Sequence, residues 1–173
     1  VFLARYFGEK LYYADTAYSK DETVIFNKKN LVGGIYAVVC PNSKYFEFIV
    51  ADEDVTMETD INDFNGKMKV IKSKNNKVFY DYIMFLGSMK NKAMTLQGEN
   101  NEKKRNALDL EVKNYQKNNI INNKKLLAAK VLAMSIDPDI PEDIKENDSL
   151  KYRYYLEHYW DNIDVTDNRI VHT

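Results

Sequence analysis

The chain has 173 residues, with 25 Lys and Arg against 26 Asp and Glu, two His and one Cys. This length fits one domain or two small ones, since domains typically contain about 100–200 residues. The formal net charge of −1 argues against a nucleic-acid binder, which normally carries a basic excess. Two His and one Cys cannot build a Cys/His zinc site, and a single Cys cannot form an internal disulfide.

Two further classes are excluded by the order of the residues. A phosphate-binding loop is not expected, because Gly33 and Gly34 are the only adjacent glycines and no Lys-Ser or Lys-Thr follows them. The longest apolar runs fall far short of the roughly 20 residues needed to span a bilayer. We therefore expect a soluble globular chain with no cofactor, no nucleic-acid partner and no membrane span in this stretch.

Both ends of the chain look cut. Val1 lies at the start of a strand-like run, and the chain stops at His172-Thr173 with no terminating signal. We therefore expect a fragment of a longer polypeptide, so the missing signal peptide says nothing about the compartment.

Residues 1–72 have the pattern of an antiparallel β domain. Short runs rich in β-branched and aromatic residues alternate with turn residues, and Asn65-Gly66 is a favoured hairpin dipeptide. This spacing predicts a β-sandwich or an open barrel. The predicted strands cover residues 1–7, 11–18, 23–26, 31–40, 45–50, 55–59 and 67–71.

Beyond Ser73 the apolar residues recur at helical spacing, which predicts a helical domain over residues 73–173. The first helix is predicted to have Asn75 or Asn76 as its N-cap and to end near Gly98. Its inner face contains Val78, Tyr82, Phe85, Leu86, Met89 and Ala93. A second helix is predicted over 99–118, with Leu108, Val112 and Tyr115 facing inward. A third over 124–135 is expected to be well buried, and a fourth covers 150–163. The fold class predicted for the whole chain is α+β.

Aromatic residues cluster in the fourth predicted helix. Rings beside polar groups can stack on sugars or hold peptides, so Tyr154, Tyr155, His158 and Trp160 form one candidate binding surface. On a helix, however, Trp160 flanks a broad apolar face. That face comprises Tyr152, Tyr155, Leu156, Tyr159 and Ile163. This pattern favours a helix packed against its neighbours over a binding site.

Two other features suggest chemistry but have simpler interpretations. His158 beside Glu157 could form an imidazole–carboxylate pair, yet the spacing of Arg153 and Glu157 suits a surface ion pair. The acidic turn 52–54 and the oxygen-rich segment 161–168 contain groups that calcium prefers. Neither has the calcium-loop spacing, and both are typical of solvated turns. We predict no catalytic, cofactor-binding or metal-ligating residue.

Several stretches resemble a known pair of domains. In the first half these are YFGEK at 6–10, DTA at 15–17, GGIY at 33–36 and YFEFIV at 45–50. In the second half they are DPDIP at 137–141, YYLEHYWDNI at 154–163 and DNR at 167–169. They resemble a small β domain and the helical domain of unknown function that follows it in cell-envelope proteins of Gram-negative bacteria. In that family the pair precedes a thioredoxin-like domain with a Cys-x-x-Cys motif, and the whole protein is an exported, often lipid-anchored thiol–disulfide oxidoreductase.

The resemblance implies that the redox chemistry belongs to a domain that would follow Thr173. Cys40 stands alone and is predicted to be a buried bystander, whereas thiol–disulfide exchange needs both an attacking and a leaving thiol. The implied function is a non-catalytic cell-envelope module that positions the redox domain or binds its protein substrate. The alternative is a glycan- or peptide-binding module that uses residues 152–160, and a weaker one is a hydrolase based on His158. The oligomeric state stays open.

Overall fold

The computed structural model describes residues 1–27, 31–41, 43–96 and 101–173. It confirms the α+β class, with antiparallel strands followed by helices. The strands are β1 (Phe2–Phe7), β2 (Lys10–Thr16), β3 (Gly34–Val39), β4 (Tyr45–Val50), β5 (Thr56–Glu58) and β6 (Lys69–Lys72). The helices are α1 (Lys74–Thr95), α2 (Glu102–Asn122), α3 (Leu127–Met134) and α4 (Asp148–His158), with short 3-10 helices at Glu142–Ile144 and Asn168–His172.

The first four strands form one antiparallel sheet in the order β2-β1-β3-β4, and β5 pairs separately with β6. Strands β1 and β2 are joined by a tight turn in which Gly8 has φ 59°, a conformation that favours glycine. The strand predicted over 23–26 is wrong, because only Thr23 forms a bridge, to Lys20. Phe26 instead packs against a buried cluster beneath the sheet.

The two faces of this sheet are buried against different parts of the chain. One face carries the cluster Leu3, Tyr36, Phe48 and Val50. The other places Ile49 in a core that also contains Phe79 and Tyr80 of α1 and Leu127 and Ala128 of α3. The predicted β and helical parts therefore share a core, and helices cover this side of the sheet. The boundary drawn between residues 72 and 73 stays a prediction.

Helix α1 begins one residue after its cap, Ser73, whose hydroxyl accepts a hydrogen bond from the N–H of Asn76 at 2.9 Å. The predicted cap, Asn75 or Asn76, is wrong, since both side chains are buried in the first turn. The Glu53 carboxylate also accepts from the N–H groups of Lys74 and Asn75, which suits the positive end of a helix. The predicted terminator Gly98 lies outside the described residues.

The later helices differ from their predicted bounds at several ends. Helix α2 continues to Asn122, past the end predicted at residue 118, and its predicted start at residue 99 lies outside the described residues. Tyr115 of α2 stacks on Phe85 of α1, with the ring centroids 3.8 Å apart. Helix α3 is well buried, as predicted. Within the described ranges, no helix combines the length and the apolar character needed to cross a membrane.

Helix α4 is shorter than predicted and ends at His158 rather than at residue 163. After His158 the backbone forms turns, with the N–H of Asp161 donating to the carbonyl of His158 at 3.1 Å. The Asp161 carboxylate accepts from the His158 ring, and the Asn162 amide donates to the Ile136 carbonyl. These contacts fix the Asp161 and Asn162 side chains in the turns that follow α4.

Candidate functional site

The strongest candidate site is an exposed apolar surface on α4 and the turn after it. This aromatic surface, as we call it, consists of Tyr152, Leu156, Tyr159 and Trp160, whose exposed fractions are 66, 53, 45 and 61%. The rings of Tyr159 and Trp160 meet edge to face, 5.3 Å apart. The prediction that this helix packs against its neighbours is wrong, since α4 has no buried residue.

The placement of α4 explains why periodicity misled the prediction. The hydrogen bonds from α4 and its following turn to other elements of the described structure go to the segment after α3. The Tyr155 hydroxyl donates to Asp137 at 3.3 Å, and the Asn162 amide donates to the Ile136 carbonyl at 3.1 Å. Helical spacing shows which side chains share a face, but it does not show whether another element covers that face.

The four residues predicted as a binding surface lie close together along α4 and the turn after it, but they do not form one face. Tyr154 packs on His158, with the ring centroids 4.1 Å apart, and both are half-buried. Tyr155 is also half-buried and contacts Tyr159, whereas Trp160 is exposed. Of the predicted four, Trp160 thus belongs to the aromatic surface. The other members of this surface, Tyr152, Leu156 and Tyr159, had been predicted to pack against neighbouring elements.

The imidazole–carboxylate pair at His158 exists, but its partner differs from the predicted one. His158 Nδ1 lies 2.7 Å from Asp161 Oδ2. Glu157 lies 4.0 Å from Arg153, which is the helix ion pair that their spacing suggests. Asp161 fixes the orientation of the imidazole at the end of α4, beside the aromatic surface.

Alanine substitutions on the aromatic surface are expected to leave the fold intact. Trp160→Ala and Tyr152→Ala should each change the free energy of unfolding by less than about 0.5 kcal/mol, because exposed side chains contribute little. The control is Phe79→Ala, which removes a buried ring and should cost about 3–5 kcal/mol. Urea denaturation measures all three. A loss comparable to that of Phe79→Ala at either exposed position would show that these rings are core.

Carboxylates of the two acidic segments make contacts that stabilise the fold. Glu53 caps α1, while Asp164 and Asp167 both accept from the Lys130 ammonium, at 2.7 and 2.6 Å. The Arg169 guanidinium also binds Asp167, at 2.6 Å, and the Asp167 side chain is only 9% exposed. The prediction that these segments are solvated turns is therefore wrong for Glu53 and Asp167, which are partly or largely buried, whereas Asp164 is exposed as predicted. In the part of the chain that the structure describes, no group of three or more His, Cys, Asp or Glu is placed to hold a metal ion.

These ion pairs anchor the segment 164–173, which we call the C-terminal anchor, to the rest of the protein. Its 3-10 helix reaches β1, where His172 Nδ1 lies 3.2 Å from the Tyr6 carbonyl oxygen. The His172 ring also contacts the Phe7 ring, with the centroids 5.8 Å apart. No role was predicted for His172. The sequence feature that could have indicated this contact is the pair Gly33-Gly34. Arg169 and His172 of the anchor pack where these two residues have no side chain.

The pKa of Asp167 supplies a test of the C-terminal anchor. Hydrogen bonds from Arg169, and then from Lys130, hold this pKa well below its usual value of 3.8. A lowered folded-state pKa contributes stability that is present above about pH 4 and is lost as the pH falls below it. Asp167→Asn should therefore lower stability at neutral pH by about 1–3 kcal/mol and flatten the decline below pH 4.

The matched control is Asp148→Asn, which removes an ion pair with Lys151. The Asp148 side chain is 94% exposed. That variant should change stability at neutral pH by less than 1 kcal/mol. Urea unfolding between neutral pH and pH 2.5 measures both variants. An acid decline as steep in Asp167→Asn as in the parent protein would contradict the role given to Asp167.

Cys40 is a free, half-buried thiol that follows β3 directly and precedes Pro41. It is thus less buried than the sequence predicted.

Comparison of the chain with family models, with curated proteins and with solved structures finds no match.

Proposed function

We propose that the chain is a non-catalytic cell-envelope module that positions a thioredoxin-like domain following Thr173. The proposal draws on the two-domain resemblance, and the observation that carries it is the C-terminal anchor. A chain leaving Thr173 would start from a point fixed by Lys130, Asp167 and the His172–Tyr6 contact. A flexible linker would leave the next domain free to reorient, whereas an anchored segment limits its positions.

The end of the anchor supports this reading in detail. The Thr173 N–H and hydroxyl both donate to the Ile170 carbonyl, at 3.1 and 2.7 Å. The hydroxyl also lies 3.6 Å from the Met134 sulfur of α3. Thr173 is therefore held in the last turn of the anchor and contacts α3 at Met134, so the direction in which a following segment starts is restricted.

The proposal predicts that the purified chain does not catalyse reduction of insulin by dithiothreitol. The chain contributes one thiol, Cys40, and intramolecular exchange needs two. Turbidity from precipitating insulin B chain measures the rate, with Cys40→Ala as the control for any slow reaction of the thiol. Turnover above the dithiothreitol background that Cys40→Ala abolishes would contradict a non-catalytic role.

The longer reading frame tests the remaining part of the proposal. It is expected to encode a Cys-x-x-Cys within about one thioredoxin length after Thr173 and an export signal before Val1. In the full-length protein, NMR relaxation should give one rotational correlation time for both parts, and Asp167→Asn should separate the two values. A reading frame without a Cys-x-x-Cys would overturn the proposal.

A second candidate function is the binding of a protein segment by the aromatic surface. The exposure of Tyr152, Leu156, Tyr159 and Trp160 favours it, since Trp and Tyr dominate the energetics of protein interfaces. An aliphatic Leu156 among the rings suits an apolar peptide side chain better than a sugar. The cell-envelope substrate of the redox domain is the partner that this candidate implies.

The single Trp of the chain provides a direct measurement of such binding. Tryptophan fluorescence reports on Trp160 alone, so titration with apolar peptides should shift its emission to shorter wavelength. Leu156→Ala should weaken that binding, while Lys103→Glu on the exposed face of α2 should not. A shift produced by oligosaccharides and not by peptides would assign the surface to glycans instead.

A further inference from the structure

The two edges of the four-stranded sheet differ in what covers them. At the β4 edge, the Asn76 side chain accepts from the Ile49 N–H and donates to the Ile49 carbonyl, both at 2.7 Å. The Tyr80 hydroxyl donates to the Glu47 carbonyl at 2.6 Å. Side chains of α1 thus occupy backbone groups through which β4 could pair with another strand.

The β2 edge has no such cover from the described residues. The backbone hydrogen bonds recorded for residues 10–15 belong to the ladder with β1. Leu11, Tyr12 and Tyr13 are 44, 47 and 67% exposed. An edge strand leaves a row of N–H and C=O groups able to pair with another strand. Because β2 also exposes apolar side chains, a pairing strand would bury apolar area together with these groups.

The charged residues of β2 indicate which strand could pair with its free edge. Lys10, Tyr12 and Asp15 stand opposite Phe7, Arg5 and Leu3 of β1, because Ala14 is an inserted residue without a partner. Phe7, Arg5 and Leu3 alternate along β1 and share one face of the sheet. Lys10 and Asp15 therefore lie on one face, at equal distances to either side of Tyr12.

We propose that β2 pairs antiparallel with β2 of a second copy of this chain, across a two-fold axis at Tyr12. Lys10 of each copy then stands opposite Asp15 of the other, and Leu11 stands opposite Tyr13 of the other. The two sheets become one eight-stranded sheet with covered β4 edges at both ends. A parallel arrangement would instead place Lys10 beside Lys10 and Asp15 beside Asp15, which is unfavourable.

This geometry makes the contact closed and self-complementary, as expected for a two-fold dimer. One strand pair with a few side chains is a small interface, so the dimer is weak and forms in the micromolar to millimolar range. Its energetics depend on cross-strand pairs. Reversing the charge of Lys10 or of Asp15 changes both copies at once, so both symmetric Lys–Asp pairs become repulsive.

Sedimentation velocity over a wide range of protein concentration tests the proposal. The parent chain is expected to show a monomer–dimer equilibrium. Lys10→Glu and Asp15→Lys should each weaken the dimer about tenfold, and the double variant should restore it to within about threefold. Tyr12→Lys places two ammonium groups face to face on the axis and should abolish it. Lys103→Glu, with the same change in net charge, is the control.

The outcomes separate the alternatives. A chain that stays monomeric at millimolar concentration overturns the proposal. A dimer that Lys10→Glu does not weaken also overturns it and assigns the contact to another surface. A double variant as weak as the single ones overturns the register. Circular dichroism of each variant shows whether the monomer is folded. Tyr12→Lys lies at an exposed position, so it tests whether β2 forms the contact even if Asp15→Lys disturbs the neighbouring Ala14.

Discussion

Replacing Asn76 by Ala is expected to lower the free energy of unfolding by about 3–5 kcal/mol. The Asn76 side chain is fully buried and satisfies both backbone groups of Ile49, which is itself buried. Alanine leaves that N–H and that carbonyl without a partner, and each unsatisfied buried group costs about 1–3 kcal/mol. Urea denaturation monitored by circular dichroism gives the change.

The control is Asn114→Ala, on the exposed face of α2. That substitution replaces a poor helix former by the best one and is expected to be neutral or slightly stabilising. A loss below about 1 kcal/mol in Asn76→Ala would mean that the Ile49 backbone finds other partners, and it would remove Asn76 as the link between β4 and α1.

The hydrogen-bond partners of Asn76 could not be predicted from the sequence. Asn75 and Asn76 precede a helical pattern, and Asn is a good N-cap, so local chemistry assigned them to the cap. Ser73 takes that role, and the two asparagines bond to Ile49 and to the N–H of Ala128, which are distant in sequence. A local pattern reveals a preference for hydrogen bonding but not the partner, because long-range partners depend on the fold.

The positions of the strands and helices could be predicted from the sequence better than the contacts between them. Alternation and turn residues indicated β1 to β6, and helical spacing indicated all four helices, because both signals are local. The strand predicted over 23–26 is absent because the pairing across the turn at Asp21-Glu22 stops at the single bridge between Lys20 and Thr23, and Phe26 packs on a buried cluster instead. The exposure of the aromatic surface could not be predicted, since it depends on the absence of a covering element within the described fold.

The C-terminal anchor links the sheet to the proposed function, and Gly34 is the position where it is most sensitive to substitution. Gly34 has φ 156°, and a Cβ there would lie 2.4 Å from His172 Cβ and 2.7 Å from the His172 carbonyl oxygen. The second of these contacts is with backbone, so a side-chain rotation cannot relieve it. Either the anchor moves away from β3 or β3 itself shifts.

Gly34→Ala is therefore expected to destabilise the protein by about 2–4 kcal/mol, of which about 1–3 kcal/mol is backbone strain. Gly87→Ala in α1 is the matched control, because nothing lies within 4 Å of its Cβ, and it should stabilise the protein by about 0.5–1 kcal/mol. Urea unfolding measures both variants, and hydrogen exchange should show faster exchange of the Ile170 and Thr173 amides in Gly34→Ala alone. If those amides kept their protection while stability fell, the strain would be confined to β3, and the anchor would hold without the close contact at Gly34.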